Sequence, residues 1–70
     1  MPLTLAEVGE ENIIKRVSGK SEVRTHLENL GFVAGSKVTI ICKHNSGDII
    51  VKVKDARIAI SKEMACKIFV

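Results

Sequence analysis

Alternating apolar and polar residues between Lys37 and Ile60 constrain this chain more than any other feature of its sequence. A period of two places one set of side chains on each face of a strand, which predicts strands with one buried face. The apolar residues are of the matching type, with eight valines and nine isoleucines against four leucines. Because β-branched side chains fit a pleated surface better than a helix, we expect a mostly β domain with at most one substantial helix.

Two short turns would fold the segment 37–60 into a three-stranded meander. We place the first turn at Ser46-Gly47 and the second at Asp55-Ala56, since both choices send one apolar set to the same face. The predicted inward pairs are Cys42/Val51, Ile40/Val53, Val53/Ile58 and Val51/Ile60. Lys52 and Lys54 then point outward, with Lys54 opposite Arg57.

A helix is predicted over residues 21–29 from three apolar residues that share one face, namely Val23, Leu27 and Leu30. Gly31 suits the left-handed residue that ends a helix, and Phe32 suits the apolar contact that follows it. We expect Ser21 or Ser18 to supply the N-cap.

Short elements flank the helix and the meander. Thr4 and Glu7 match a capping box, so we expect a single helical turn that ends at Gly9, followed by a strand over residues 12–17. Ser61 is the predicted cap of a second short turn, and residues 66–70 are a predicted last strand. A meander alone exposes two strand edges. Closing it with the first and last strands predicts a five-stranded SH3-like barrel with one α-helix and short helical turns, in a single domain over residues 1–70.

Composition and motifs narrow the class of function. The net charge is +3, the two cysteines are too few for a disulfide scaffold, and the longest stretch without a charged residue, 29–36, is too short to span a membrane. We therefore expect a cytoplasmic protein that is not inserted in a membrane. The sequence contains no nucleophile motif, phosphate-binding loop or paired carboxylates, so we expect no enzymatic activity.

Cys42 and His44 form the most metal-like feature of the sequence. Two residues apart on a strand, their side chains would point to one face, where Cys66, with His26 or Glu63, could add ligands. Alternatively, Cys42 packs as a small core residue and His44 reaches water at the hairpin end. No Cys-x-x-Cys or His-x-x-x-His pattern accompanies the pair. We therefore expect no tight metal site and no cofactor, with weak binding of ferrous iron or zinc at most.

Two surfaces are candidates for contact with a partner. The basic surface comprises four outward side chains, Lys43, Lys52, Lys54 and Arg57, and suits an acidic partner, although lysines on strand edges also deter aggregation. The only aromatic residues are Phe32 and Phe69, too few for a base-stacking platform, which argues against nucleic acid. The apolar surface indicates a protein partner or a second copy of the chain, and comprises Leu30, Phe32, Val33, Ala34, Ile41, Ile50 and Phe69.

An ordered set of motifs runs through nearly the whole chain. It reads Arg24-x-x-Leu27-x-x-Leu30-Gly31-Phe32-x-x-Gly35-x-x-Val38-x-Ile40, then Gly47-Asp48, Ile58-Ala59-Ile60 and Ala65-x-x-Ile68-x-Val70. This set resembles the FeoA family of ferrous iron transport accessory proteins. The resemblance implies an SH3-like barrel and a cytosolic protein that binds and modulates FeoB, the membrane ferrous iron transporter with a cytosolic G-protein domain. Two other functions stay open: a transition-metal-binding or metal-sensing module, and a small basic barrel that binds nucleic acid.

Overall fold

Six short strands and two helices follow one another with few connecting residues in the computed structural model, which describes residues 1–70. A 3-10 turn spans Leu3–Leu5, and the helices are α1 (Ser21–Asn29) and α2 (Lys62–Ala65). The strands are β1 (Glu11–Ile13), β2 (Arg16–Val17), β3 (Lys37–Lys43), β4 (Ile49–Val53), β5 (Ala56–Ile60) and β6 (Ile68–Phe69). They form a four-stranded sheet of order β1-β3-β4-β5 and a two-stranded sheet of β2 and β6. The mostly β prediction is confirmed, but the strands number six rather than five and do not close into a barrel.

One apolar core lies on the inner face of the four-stranded sheet. It contains 14 buried residues, none of them polar or charged. The meander contributes Val38 and Ile40 from β3, Val51 and Val53 from β4, and Ile60 from β5. Burial removes about 25 cal/mol of unfavourable hydration per Å² of apolar surface, so this single cluster is the main source of stability for so small a chain.

The first hairpin differs from the predicted one in two ways. Its loop holds three residues, Asn45, Ser46 and Gly47, because the amide of His44 donates to the carbonyl of Asp48 (2.8 Å) and the amide of Gly47 donates to the carbonyl of His44 (3.0 Å). Gly47 has a φ of 102°, as a loop of this length requires. A β-bulge at Ile41 then adds a second shift.

The two shifts have different consequences along the hairpin. Together they move the pairing by two positions, so Ile40 lies opposite Val51 rather than Val53, and both stay on the core face. Between the loop and the bulge the pairing has moved by only one position, and Cys42 lies opposite Ile50 instead of Val51. The prediction that Cys42 faces the core is therefore wrong, because a shift of one residue turns a side chain to the other face.

The second hairpin turns one residue earlier than predicted. Val53 pairs with Ala56, so the turn residues are Lys54 and Asp55, with φ values of 48° and 64°. Two positive φ values define the two-residue turn that matches the twist of a hairpin. Moving the turn by one residue moves the pairing by two, so β5 keeps its faces and Ile58 lies opposite Val51. Ile58 is half-buried rather than buried, since β5 is an edge strand.

Helix α1 has the predicted bounds and the predicted end. The amide of Gly31 donates to the carbonyl of Glu28 and the amide of Phe32 to that of Leu27, both at 3.0 Å, while Gly31 has a φ of 108°. This is a Schellman cap. The predicted N-cap is wrong: Lys20 holds that position without a side-chain hydrogen bond, and the Ser18 hydroxyl donates to the carbonyl of Lys67 instead.

The flanking elements are shorter than predicted. The strand expected over residues 12–17 is divided into β1 and β2, which pair in different sheets on either side of the buried Ile14. No capping box forms, because the first turn covers Leu3–Leu5 and has no side-chain cap. Ser61 does cap α2, accepting a hydrogen bond from the amide of Met64 at 3.2 Å. The last strand is limited to β6, although Ile68 is buried as expected.

Candidate functional site

A short apolar loop follows the Schellman cap of α1. We call residues 31–35 the helix-end loop. Two backbone hydrogen bonds connect this segment to Ile14, which follows β1. The amide of Gly35 donates to the carbonyl of Ile14 (2.8 Å), and the amide of Ile14 donates to the carbonyl of Ser36 (2.9 Å). Val33 is half-buried and Ala34 is exposed, so two apolar side chains are presented on a held backbone.

Two other residues of the predicted apolar surface, Leu30 and Phe32, lie next to this loop and within it. Leu30 is half-buried at the C-cap of α1 and packs against the core. Phe32 has no exposed surface at all. Its side chain therefore belongs to the core, and the expectation that Phe32 contributes to a contact surface is corrected.

The outer face of the four-stranded sheet carries a row of polar side chains. The pairings place Glu11, Thr39, Lys52 and Arg57 side by side on β1, β3, β4 and β5. Lys52 rather than Lys54 is thus opposite Arg57, because the second turn lies one residue earlier than predicted. Like charges opposite one another destabilise a sheet.

A groove of about 390 Å³ opens over this row and includes Lys37, Lys52 and Lys54. We call these three lysines and the adjacent Arg57 the cationic groove. Two carboxylates, Glu11 and Asp55, also line it. Lys37 Nζ lies 3.7 Å from Glu11 Oε1 in the only ion pair of the structure, with both side chains more than half exposed.

The cationic groove adjoins the helix-end loop. A Cβ placed on Gly31 would lie 3.5 Å from Cδ of Lys54, so the lysine side chain packs across the helix cap. Ser36 and Lys37, which follow the loop directly, line the groove. The apolar and the basic candidate residues therefore form one continuous surface here.

Lys43 is not part of that surface. It lies opposite Ile49 near the first hairpin loop, and its Nζ donates a hydrogen bond to the carbonyl of Thr4 at 3.1 Å. Lys43 was grouped with the other cations because the strands were assumed to pair regularly. The longer loop and the bulge change that pairing.

The remaining apolar candidates lie elsewhere. Ile41 occupies the bulge and Ile50 lies opposite Cys42, and both are half-buried. Phe69 belongs to the other sheet, where the Arg16 guanidinium lies 4.3 Å from the centre of its ring. The structure thus does not bring all the predicted apolar residues into one patch.

Three exposed apolar residues were missed by sequence reasoning. Leu5, Val8 and Ile13 are 67, 53 and 55% exposed. Ile13 lies opposite Lys37, next to the cationic groove, while the backbone of Val8 bridges to that of Ile40. The division of the predicted 12–17 strand is what turns Ile13 outward and Ile14 inward, and the sequence pattern Ile-Ile does not reveal which of the two is buried.

Cys42 and His44 do come together on the outer face. The Cys42 Sγ lies 3.7 Å from His44 Nε2. No third histidine, cysteine or carboxylate joins them, since the structure holds no group of three such residues that could bind a metal ion. Cys66 instead donates its thiol hydrogen to the carbonyl of Glu63 at 2.9 Å. The suggestion that Cys66, His26 or Glu63 completes a shell is therefore wrong for this structure.

Comparison with known proteins identifies the family. The FeoA domain matches residues 1–70. The chain belongs to the FeoA family. It is 35% identical to "Putative Fe(2+) transport protein A" of Methanocaldococcus jannaschii, over 99% of this chain and 83% of that protein. The family is linked to ferrous iron transport, so the resemblance seen in the sequence is confirmed.

Solved FeoA structures share the fold. A crystal structure of an iron uptake regulatory protein, FeoA, is 28% identical and superposes with a TM-score of 0.89 over 97% of this chain and 91% of that one. FeoA of Stenotrophomonas maltophilia in complex with zinc, described as an SH3-domain protein, is 24% identical with a TM-score of 0.85, over 100 and 88% of the two chains. At that identity the likeness establishes the fold alone. The predicted SH3-like fold class is confirmed.

None of the helices combines the length and the apolar character that crossing a membrane requires.

Proposed function

We propose that this FeoA-family protein is a cytosolic, non-enzymatic accessory factor that binds the cytosolic portion of a FeoB-type ferrous iron transporter and modulates iron uptake. The observation that carries the proposal is the helix-end loop, which presents Val33 and Ala34 beside the cationic groove. Membership of the FeoA family supplies the link to ferrous iron.

The helix-end loop has the properties of a docking anchor. Its backbone is held by the Schellman cap and by the hydrogen bonds to Ile14, so little conformational entropy is lost when a partner binds. The apolar side chains supply buried area, and the lysines beside them supply a charged rim that favours a correctly oriented encounter. The loop therefore suits a protein partner better than a small molecule.

The side chains of this surface do not favour a catalytic role. The groove is lined by lysines, two carboxylates, Ser36 and Thr39, with no histidine or cysteine among them. A role through binding fits this composition better than a catalytic one.

Substituting Val33 tests the docking proposal. Val33→Glu places a charge in the apolar anchor while leaving the core intact, because Val33 is half-buried outside the core cluster. We expect binding to the purified cytosolic portion of the transporter to weaken at least tenfold, which is about 1.4 kcal/mol, with the thermal midpoint nearly unchanged. Isothermal titration calorimetry and thermal denaturation measure the two effects.

Val8→Glu is the control, since Val8 is also a valine outside the core cluster, is 53% exposed and belongs to a different segment of the chain from the helix-end loop. It should bind as tightly as the unmodified protein. If Val33→Glu binds normally, the docking surface lies elsewhere, with Ile41, Ile50 and Phe69 as the next positions to substitute. If the unmodified protein itself binds no cytosolic part of the transporter, the proposed accessory function is wrong.

A further inference from the structure

Three of the four cations of the cationic groove, Lys52, Lys54 and Arg57, make no ion pair within the molecule. Lys52 and Arg57 lie directly opposite one another, and neither makes an ion pair. Lys37 has only the long, exposed contact with Glu11. Four cationic side chains are thus gathered around one groove with two carboxylates, Glu11 and Asp55, which leaves a local excess of two positive charges. Such an arrangement costs stability in the free protein, so a ligand that neutralises it would bind favourably.

We propose that the cationic groove binds an acidic peptide segment of the protein partner. This inference rests on the proposed function, because the segment would belong to the same partner that the helix-end loop anchors. Lys54 joins the two parts of the interface, since its side chain packs across Gly31 and the same residue lines the groove. One partner could therefore contact Val33 and the lysines at once.

An acidic peptide fits the groove better than a nucleic acid does. Glu11 and Asp55 stand among the cations and would repel a continuous phosphate backbone, whereas separate carboxylates on a peptide can avoid them. No aromatic side chain borders the groove, because Phe32 is buried and Phe69 lies in the other sheet under Arg16. Single-stranded nucleic acid binding normally requires such stacking platforms.

The flexible lysine stems suit an extended peptide. Alternate side chains of an extended chain point the same way about 6.8 Å apart, while neighbouring strands are about 4.8 Å apart. Cations on β4 and β5 can therefore reach two carboxylates of one segment. Lysine binds carboxylates as a point charge without strict geometry, so we expect charge spacing rather than an exact motif to be recognised.

Fluorescence anisotropy with labelled hexaglutamate at low salt tests the proposal. Lys52→Gln should weaken binding about threefold or more, as for the loss of a partly exposed ion pair. Lys62→Gln is the matched control, since it removes the same charge from α2, outside the groove, and should leave binding unchanged. Glu11→Gln should tighten binding about twofold, because the competing carboxylate near Lys37 is removed.

Three results would overturn the proposal. Hexaglutamate could fail to bind saturably. Lys62→Gln could weaken binding as much as Lys52→Gln, which would mean that only net charge matters. A hexathymidylate probe could bind more tightly with the same dependence on Lys52, which would assign the groove to nucleic acid.

The same variants separate this proposal from the proposed function. If the transporter portion binds and Val33→Glu abolishes that binding while Lys52→Gln has no effect on either probe, the accessory function stands and the groove proposal is wrong. If hexaglutamate binds through Lys52 but no transporter portion binds, the ligand chemistry of the groove stands and the transporter is not its source.

Discussion

The inner and outer faces of the four-stranded sheet respond differently to the same changes in strand pairing. On the inner face, Ile40, Val51 and Val53 are at most 1% exposed, as the alternating pattern predicts, although none has the predicted neighbour. On the outer face, the same changes exchange Lys54 for Lys52 opposite Arg57 and bring Cys42 out of the core. A shift of two residues keeps each side chain on its face but changes its neighbours on both faces, whereas the shift of one residue between the loop and the bulge moves Cys42 to the outer face.

The difference arises from what each face requires. A core accepts many arrangements of Val and Ile, provided that apolar side chains stay inside and fill the volume. A binding surface depends on which charge lies beside which. The residue composition of a binding surface can thus be predicted from the sequence even where the arrangement of its side chains cannot.

Substituting one residue on each face of β4 should give the largest difference in the free energy of unfolding. Val53→Ala removes two methyl groups from a site that is 1% exposed, and should lower the free energy of unfolding by roughly 1–3 kcal/mol. Lys52→Ala on the same strand should change it by less than about 0.5 kcal/mol, because the side chain is exposed and faces Arg57. Urea denaturation measures both. A destabilisation by Lys52→Ala equal to that of Val53→Ala would contradict the assigned faces.

The turn that sets the outer-face pairs should show a smaller effect of opposite sign. Asp55 has a φ of 64° at the second turn position, where glycine carries no steric penalty. Asp55→Gly should therefore stabilise the protein by about 0.5 kcal/mol in thermal or urea unfolding. Asp48→Gly is the control, since Asp48 does not have a positive φ, and it should destabilise.

The same experiment distinguishes the observed turn from the one expected from the sequence. With the turn at Asp55-Ala56, Ala56 would hold the second turn position, and Ala56→Gly would stabilise instead. In the structure Ala56 already pairs with Val53, so a glycine there should only weaken β5. Stabilisation by Ala56→Gly would contradict the assigned strand pairing.

Particular residues show where prediction from the sequence succeeds and where it stops. The helix α1, its Gly31 cap and the Ser61 cap of α2 are local features, each decided within a few residues, and all were predicted. The bulge at Ile41 and the turn at Lys54 depend on how distant strands fit together, and Lys is not a residue that such a turn prefers at its first position. The cationic groove could not be predicted for that reason: Lys52, Lys54 and Arg57 were recognised, but Lys43 was included and Lys37 was left out.

Metal binding at Cys42 and His44 should give the smallest effect. Cys42 and His44 offer one sulfur and one nitrogen, 3.7 Å apart, with no further ligand nearby. A tight zinc site normally has four protein ligands, or three and a water. Equilibrium dialysis with Zn²⁺, or with Fe²⁺ under anaerobic conditions, should therefore show only weak, surface-type binding. Cys66→Ser serves as the control for Cys42→Ser, since both remove one thiol. A stoichiometric, submicromolar site that Cys42→Ser abolishes and Cys66→Ser preserves would contradict this expectation, and would make the outer face a metal-sensing surface instead of one that only docks a partner.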